Sequence, residues 1–267
     1  MLMMIENDLN NEDYHTNYPE YISATFAKKA WAEGLNHAKN SKVNLSAEIK
    51  EIGDGVHAQV LEPEKDLLVR GTNRRGTKEW KDLEANAYLD GKILLKDSVY
   101  DEVMLMAKSL QDNPACAKYL EHPERTCESS VFVEHPIGVK MRCRPDLYIE
   151  RHGVVCDVKT TQSVVPKKFL RDAMALGYPL QAAWYKTCLE LAGLQVSQFH
   201  FLCVQKSQPY TSQLYTVSDE LMQWGIQQVN KILLSIHQAQ ETDTWPNSWP
   251  DQVMMDLPAY LKGDEEI

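Results

Sequence analysis

Residues 142–150 read RCRPDLYIE and residues 153–161 read GVVCDVKTT, and these two runs decide the fold. Both are short β-rich runs, and Glu150, Arg151, His152 and Gly153 mark a turn between them. If Glu150 faces Gly153 across the turn, Asp146 lies opposite Asp157, with Cβ atoms about 4.5–5.5 Å apart. Alternation along the second strand places Lys159 on the face of Asp157. The same rule puts Arg144 beside Asp146. Two carboxylates and an ammonium therefore converge. Facing carboxylates repel, so one stays protonated unless a cation joins them. A divalent metal resolves the conflict, and hard oxygen ligands suit Mg²⁺. A pair of surface acids neutralised by Arg144 and Lys159 would produce the same spacing.

Working outward, residues 20–40 read as a helix, as do 48–60 despite Gly53 and Gly55. A loop follows over 62–78, then helices near 78–90 and 98–112, the second capped by Asp97 or Ser98. From Ser129 the pattern turns to short β-rich runs, with 137–150 taken as one strand. A helix over 180–192 enters through Pro179 and stops at Gly193. Strands at 198–205 and 212–217 and a helix near 218–238 complete the series. Helices, antiparallel strands, helix, strand: the order predicts a mixed α/β core behind a helical N-terminal section.

The net charge of −10 over 267 residues looks wrong for a protein that handles nucleic acid. The distribution of that charge points the other way. Residues 1–20 carry five acids and no base, and residues 232–267 carry seven acids and one lysine, leaving the middle near neutral. Within it, residues 65–81 hold six bases against two acids, and residues 140–171 hold eight against three. A phosphate feels such patches over about 10 Å, not the molecular total. The six scattered cysteines form no CxxC pair and read as buried thiols. No run of 18 apolar residues and no basic leader is present, so a cytoplasmic protein without a membrane span is expected.

Pro145-Asp146 followed by Asp157-Val158-Lys159 resembles the signature of PD-(D/E)XK nucleases. Gln181 and Tyr185, four apart on the following helix, resemble the QxxxY element of the RecB-like group. Gly53 and His57 resemble that group's GxxxH helix, and Glu128 its upstream acid. Trp245-Pro246 and Leu257–Tyr260 are similar to the tail of the RecE (exonuclease VIII) nuclease domain. Other relatives hold an iron–sulfur cluster through four cysteines, a pattern this sequence lacks.

The resemblance implies a restriction-endonuclease-like α/β fold: one nuclease domain over 21–250, its core at about 125–217, between acidic tails at 1–20 and 251–267. It implies a principal Mg²⁺, or Mn²⁺ in its place, on Asp146, Asp157 and the Val158 carbonyl. His57 and Glu128 complete the site, Glu128 as a ligand or as an orienter of the attacking water. Lys159 orients or deprotonates that water. Gln181 and Tyr185 touch DNA or the active-site strand. Arg142, Arg144, Arg74, Arg75 and Lys78 are candidate phosphate ligands, Arg142 and Arg144 for a 5′-phosphate. Thr160 and Thr161 bind phosphate or are simply strand-formers, and Trp31 and Trp80 are core residues or wedges at a DNA end. The implied activity is 5′→3′ exonuclease action on linear duplex ends, leaving a 3′ strand. A ring-like homo-oligomer, such as a tetramer, and a RecT-like annealing partner are implied with it. An endonuclease, a single-strand nuclease and a non-catalytic DNA-binding module remain alternatives.

Overall fold

The computed structural model describes residues 3–7, 9–41, 47–250 and 252–256. Its first half contains β1 (Met3–Glu6), α1 (Asn11–Thr16), β2 (Ile22–Ser23), α2 (Ala24–Glu33), α3 (Leu35–Asn40) and α4 (Ala47–Leu61). There follow β3 (Leu68–Arg70), α5 (Lys78–Leu89), β4 (Ile93–Leu95), α6 (Asp97–Asp112) and α7 (Pro114–Leu120). The second half contains β5 (Thr126–Cys127), β6 (Ser130–Glu134), β7 (Lys140–Cys143), β8 (Leu147–Ile149) and β9 (Val154–Thr161). It closes with α8 (Pro166–Ala175), α9 (Tyr178–Leu191), β10 (Gln198–Gln205), β11 (Ser212–Thr216) and α10 (Asp219–Thr242). This is the mixed α/β architecture expected, with helices on both sides of the sheets.

Two main sheets meet at Pro145. One has the strand order β1-β6-β7-β2 and the other β11-β10-β9-β8-β5; β3 and β4 form a separate pair. The expected hairpin register holds: Leu147 pairs with Cys156, Tyr148 with Val155 and Ile149 with Val154. The expectation of one continuous strand over 137–150 does not hold. Pro145 has no N–H to give a ladder and restricts the residue before it, so the chain leaves the first sheet after Cys143. It enters the second at Leu147. That corner places Asp146 at a strand end rather than inside a ladder.

Strands β9 and β10 run parallel through the middle and divide the apolar core in two. Val155, Phe199, Phe201 and Cys203 face a core shared with α2, α9 and α10. Cys156, Val158, Leu202 and Val204 face a second core made with α4, α6 and α7. Buried on both faces, these strands lack the clean alternation of a half-exposed strand.

Several expected boundaries shift for local reasons. The helix expected over 20–40 breaks at Gly34, whose φ of +89° suits glycine alone, and its first residues pair with β7 as β2. The stretch expected as an acidic tail is tied in, because Met3–Glu6 pairs antiparallel with β6. Neither Asp97 nor Ser98 caps α6. Lys96 holds the cap position, and Asn73 from the preceding loop accepts from the Ser98 N–H instead. Gly55 is compatible with α4 because a Cβ there would stand 3.1 Å from Val103 Cγ2 and 3.2 Å from Leu95. The 62–78 loop contains β3, paired in parallel with β4. The Trp245-Pro246 segment folds back on the N-terminal helices, Pro246 accepting from the Asn36 N–H at 3.1 Å. The motif at 257–260 lies outside the described residues.

Candidate active site

Of the charged residues singled out by the hairpin, Asp146, Asp157 and Lys159 converge, the aspartates buried and Lys159 half-buried rather than on an open patch. Asp157 is 1% exposed and Asp146 9%. Just before the start of β8, Asp146 turns its Oδ2 to the Val158 N–H at 2.6 Å and to His57 Nε2 at 3.0 Å. His57 sits on α4, where the Gly53 carbonyl holds its Nδ1 at 2.8 Å. Nδ1 donates to that carbonyl, which turns Nε2 to the acid. In a strand, one residue's N–H and C=O point to the same side. The Val158 carbonyl therefore points past the end of β8, toward Asp146.

Asp157 faces the other way, toward α9. Its Oδ1 accepts from Gln181 Nε2 at 2.6 Å. Its Oδ2 lies against the Lys159 ammonium but is a buried atom without a hydrogen bond of acceptable geometry. Gln181 is thus a positioning residue for Asp157, and Tyr185 extends the chain with its hydroxyl 3.3 Å from Gln181 Nε2. Gln181 thus contacts β9, the strand that carries Asp157.

Two residues that sequence reasoning missed complete the cluster. Lys28, on α2, donates to Gln181 Oε1 at 2.8 Å. Tyr178 places its ring under both lysines, 5.1 Å from Lys159 Nζ and 5.7 Å from Lys28 Nζ. Neither carries a local signal, since Lys28 reaches its partner across 153 residues.

The electrostatics follow from crowding three acids and several bases out of water. Burial would raise Asp146, but the His57 charge and hydrogen bond, with Lys159, hold it below the usual carboxylate range. Asp157 is raised by burial and then by Asp146, with Lys159 opposing. Glu128 is pushed up to about 8 by burial and Asp146, with His57 opposing. His57 pays for burial yet rises to about 9, because Asp146 faces it. Lys159 is raised against its burial by Asp157 and Asp146. Lys28 falls to about 8 through burial and the charge of Lys159. The protein's own bases thus neutralise only part of the carboxyl cluster.

Glu128 comes from the residue after β5, in a left-handed conformation (φ +55°), its N–H on the Asp146 carbonyl at 3.3 Å. Thr160 is half-buried, and its Oγ1 lies 4.0 Å from where a Cβ on Gly53 would be. Thr161 is 8% exposed and its hydroxyl bonds locally to the Ser163 carbonyl. Arg74 and Lys78 are exposed, whereas Arg75 is held by Glu51 and lies over the Trp80 ring at 5.5 Å. Trp80 is buried and Trp31 packs edge-on to Trp224, as core residues do.

Arg142 and Arg144 correct the expectation of a phosphate cradle. Arg142 donates to the Tyr14 carbonyl and, at 3.3 Å, to that of Tyr18. Arg144 donates to Ser130 Oγ at 2.8 Å and to the Leu9 carbonyl at 2.9 Å. Both guanidinium groups stack on Tyr14, at 4.8 and 4.1 Å. They fasten the N-terminal segment to the first sheet and are not turned to solvent. The corner at Pro145 breaks the alternation that would have set Arg144 beside Asp146.

A model of the PDDEXK-like domain of unknown function (DUF3799) matches residues 25–251 of the sequence. The chain belongs to this family. The DUF3799 match takes in every residue of the buried cluster, from Lys28 to Tyr185. A solved structure from Eubacterium rectale, described as a "Putative exonuclease", shares the fold of this DUF3799 chain. Its TM-score is 0.64 at 15% identity, over 97% of this chain and 99% of that one. A second structure, SSO0001, covers 69% of this chain and 86% of its own at 12% identity, but its TM-score of 0.32 carries no argument. No curated protein matches the sequence.

Proposed function

We propose that the chain is a divalent-metal-dependent exodeoxyribonuclease that acts 5′→3′ on linear duplex DNA and leaves a 3′ strand. The observation that carries the reading is the convergence of Asp146, Asp157, Lys159, Glu128 and His57 at the corner between two sheets, the two aspartates buried and the other three half-buried. Titratable groups perturbed by desolvation and by a specific charge partner mark a functional-site candidate. The 5′→3′ polarity and the duplex-end substrate rest on the RecE resemblance.

The donor set fits a hard divalent cation. Asp146, Asp157 and Glu128 crowd three carboxyl groups together, and Glu128 at about 8 holds a proton at neutral pH that a cation would replace. Asp146, Asp157 and the Val158 carbonyl would hold Mg²⁺, or Mn²⁺ in its place, with Glu128 and His57 beside them. A bound divalent ion supplies a low-pKa water and charge stabilisation on the scissile phosphate. The chain's own residues provide the rest. Lys159, its ammonium against Asp157, orients the attacking water or takes its proton. Gln181 and Lys28 fix the rotamer of Asp157, and burial excludes competing water. Arg74 and Lys78 on the loop before α5 offer exposed positive charge to the DNA backbone, with Arg75 held back by Glu51. A homo-oligomeric ring and an annealing partner belong to the same proposal, supported by the resemblance and by acidic ends flanking basic stretches.

The test uses linear duplex labelled at the 5′ or the 3′ end, with relaxed closed circles as control. Early release of the 5′ label as a mononucleotide and intact circles are expected. Equal cutting of circles and linear DNA would replace the exonuclease with the endonuclease alternative.

A further inference from the structure

At the opposite end of the β8–β9 hairpin from Asp146 and Asp157, a second group of donors meets. His122 and Glu124 lie in the turn between α7 and β5. His152 lies in the 3-10 turn Glu150–His152 that joins β8 to β9. One donor atom from each residue lies within 4.8 Å of the others. The His122 and His152 rings meet edge to face at 5.6 Å. Glu124 and His152 are exposed and His122 is half-buried, so an ion can reach all three. His152 lies in the turn before β9, and the strand from Val154 to Asp157 alone spans about 10 Å. This group is therefore separate from the catalytic cluster and independent of its assignment.

We infer that His122, Glu124 and His152 form a surface site for a first-row transition ion such as Zn²⁺. Two imidazoles and one carboxylate are a borderline-soft set, which suits Zn²⁺ or Co²⁺ and not Mg²⁺. Water completes a four-coordinate shell. Two contacts give way when the ion enters. The Arg151–Glu124 ion pair, at 3.6 Å and exposed, is weak. The second is the Glu124 N–H that His122 Nδ1 accepts at 3.2 Å, already long for a hydrogen bond.

The placement gives the ion a mechanical role. Residues 122–124 lead directly into β5, which pairs with β8 through Thr126–Tyr148 and Cys127–Leu147. Glu128 follows immediately. An ion at this site cross-links the segment that delivers Glu128 to the hairpin that delivers Asp146 and Asp157. It clamps the back of the catalytic cluster without touching it.

The test is thermal unfolding of the full chain with Zn²⁺ titrated in excess Mg²⁺, so that hard-oxygen sites are already filled. At a hundredfold excess over the dissociation constant, a rise of about 5 °C or more is expected. The rise should persist in Asp157→Asn and vanish in both His122→Asn and His152→Asn. Co²⁺ in place of Zn²⁺ should give the visible absorption of a tetrahedral centre in the wild type and in Asp157→Asn, but not in the histidine variants. The inference is overturned by no shift in the wild type, by a shift retained in both histidine variants, or by one lost in Asp157→Asn.

Discussion

Asp146, Asp157 and Glu128 show how one cluster of like groups acquires different charge states. The acid that faces His57 stays ionised, the one beside Lys159 is raised, and the one without a dedicated base rises to about 8. His200, away from the site, offers a cleaner titration. It lies buried on β10, with Nε2 2.9 Å from the Tyr119 hydroxyl and Nδ1 3.0 Å from Thr216 Oγ1. Burial, then the charge of Lys118, lowers its pKa from 6.5 to about 4. The unfolded chain then binds this proton more tightly than the folded one. His200 stabilises fully above about 6.5, and that contribution is lost as pH falls toward about 4. Between those values the melting temperature of the wild type should fall more steeply than that of His200→Gln, and parallel slopes would contradict this. At this scale the sequence was informative where partners are local in the hairpin, as for Asp146, Asp157 and Lys159. It was silent on Lys28 and misleading on Arg142 and Arg144, whose carbonyl partners Tyr14, Tyr18 and Leu9 lie more than a hundred residues away.

Among the elements, β8, β9 and α9 form the frame of the site, and their register and faces were legible because turn and alternation set them. What alternation could not foresee was the corner at Pro145, which hands the chain from one sheet to the other and frees the end of β8 for Asp146. Helix α9 is held from behind by α10, and their approach is tight at Gly225. A Cβ there would stand 2.6 Å from the Pro179 carbonyl oxygen and 2.9 Å from Ala183 Cβ. In an open helix, Gly→Ala gains about 1 kcal/mol. Here the clash, against backbone that cannot turn aside, costs about 1–3 kcal/mol and outweighs that gain. Gly225→Ala should therefore lower the melting temperature by several degrees. It should also weaken catalysis, because Pro179 is two residues from Gln181 and its displacement loosens the hold on Asp157. An unchanged or raised melting temperature would show that the helices part without cost.

At the level of the whole molecule, two apolar cores on either side of β9 and β10 leave the charged cluster between α4 and α9, supported from both sides. The sequence announced the α/β class but not this division, since strands buried on both faces lose the contrast that reveals which side is the interior. It also announced acidic ends around basic stretches, although the structure turns part of that basicity, Arg142 and Arg144, into internal struts. No described helix is long and apolar enough to cross a membrane. The central claim is that this cluster hydrolyses DNA with a divalent ion. The most direct measurement compares nucleotide release from linear duplex by purified wild type, Asp157→Asn and Lys159→Met, in Mg²⁺ and in EDTA. Both variants keep side-chain volume near the original, and far-ultraviolet circular dichroism confirms their folding. Release by the wild type in Mg²⁺ alone, with both folded variants at least about 100-fold slower, is the predicted result. Undiminished release by either folded variant, or by the wild type in EDTA, would contradict it.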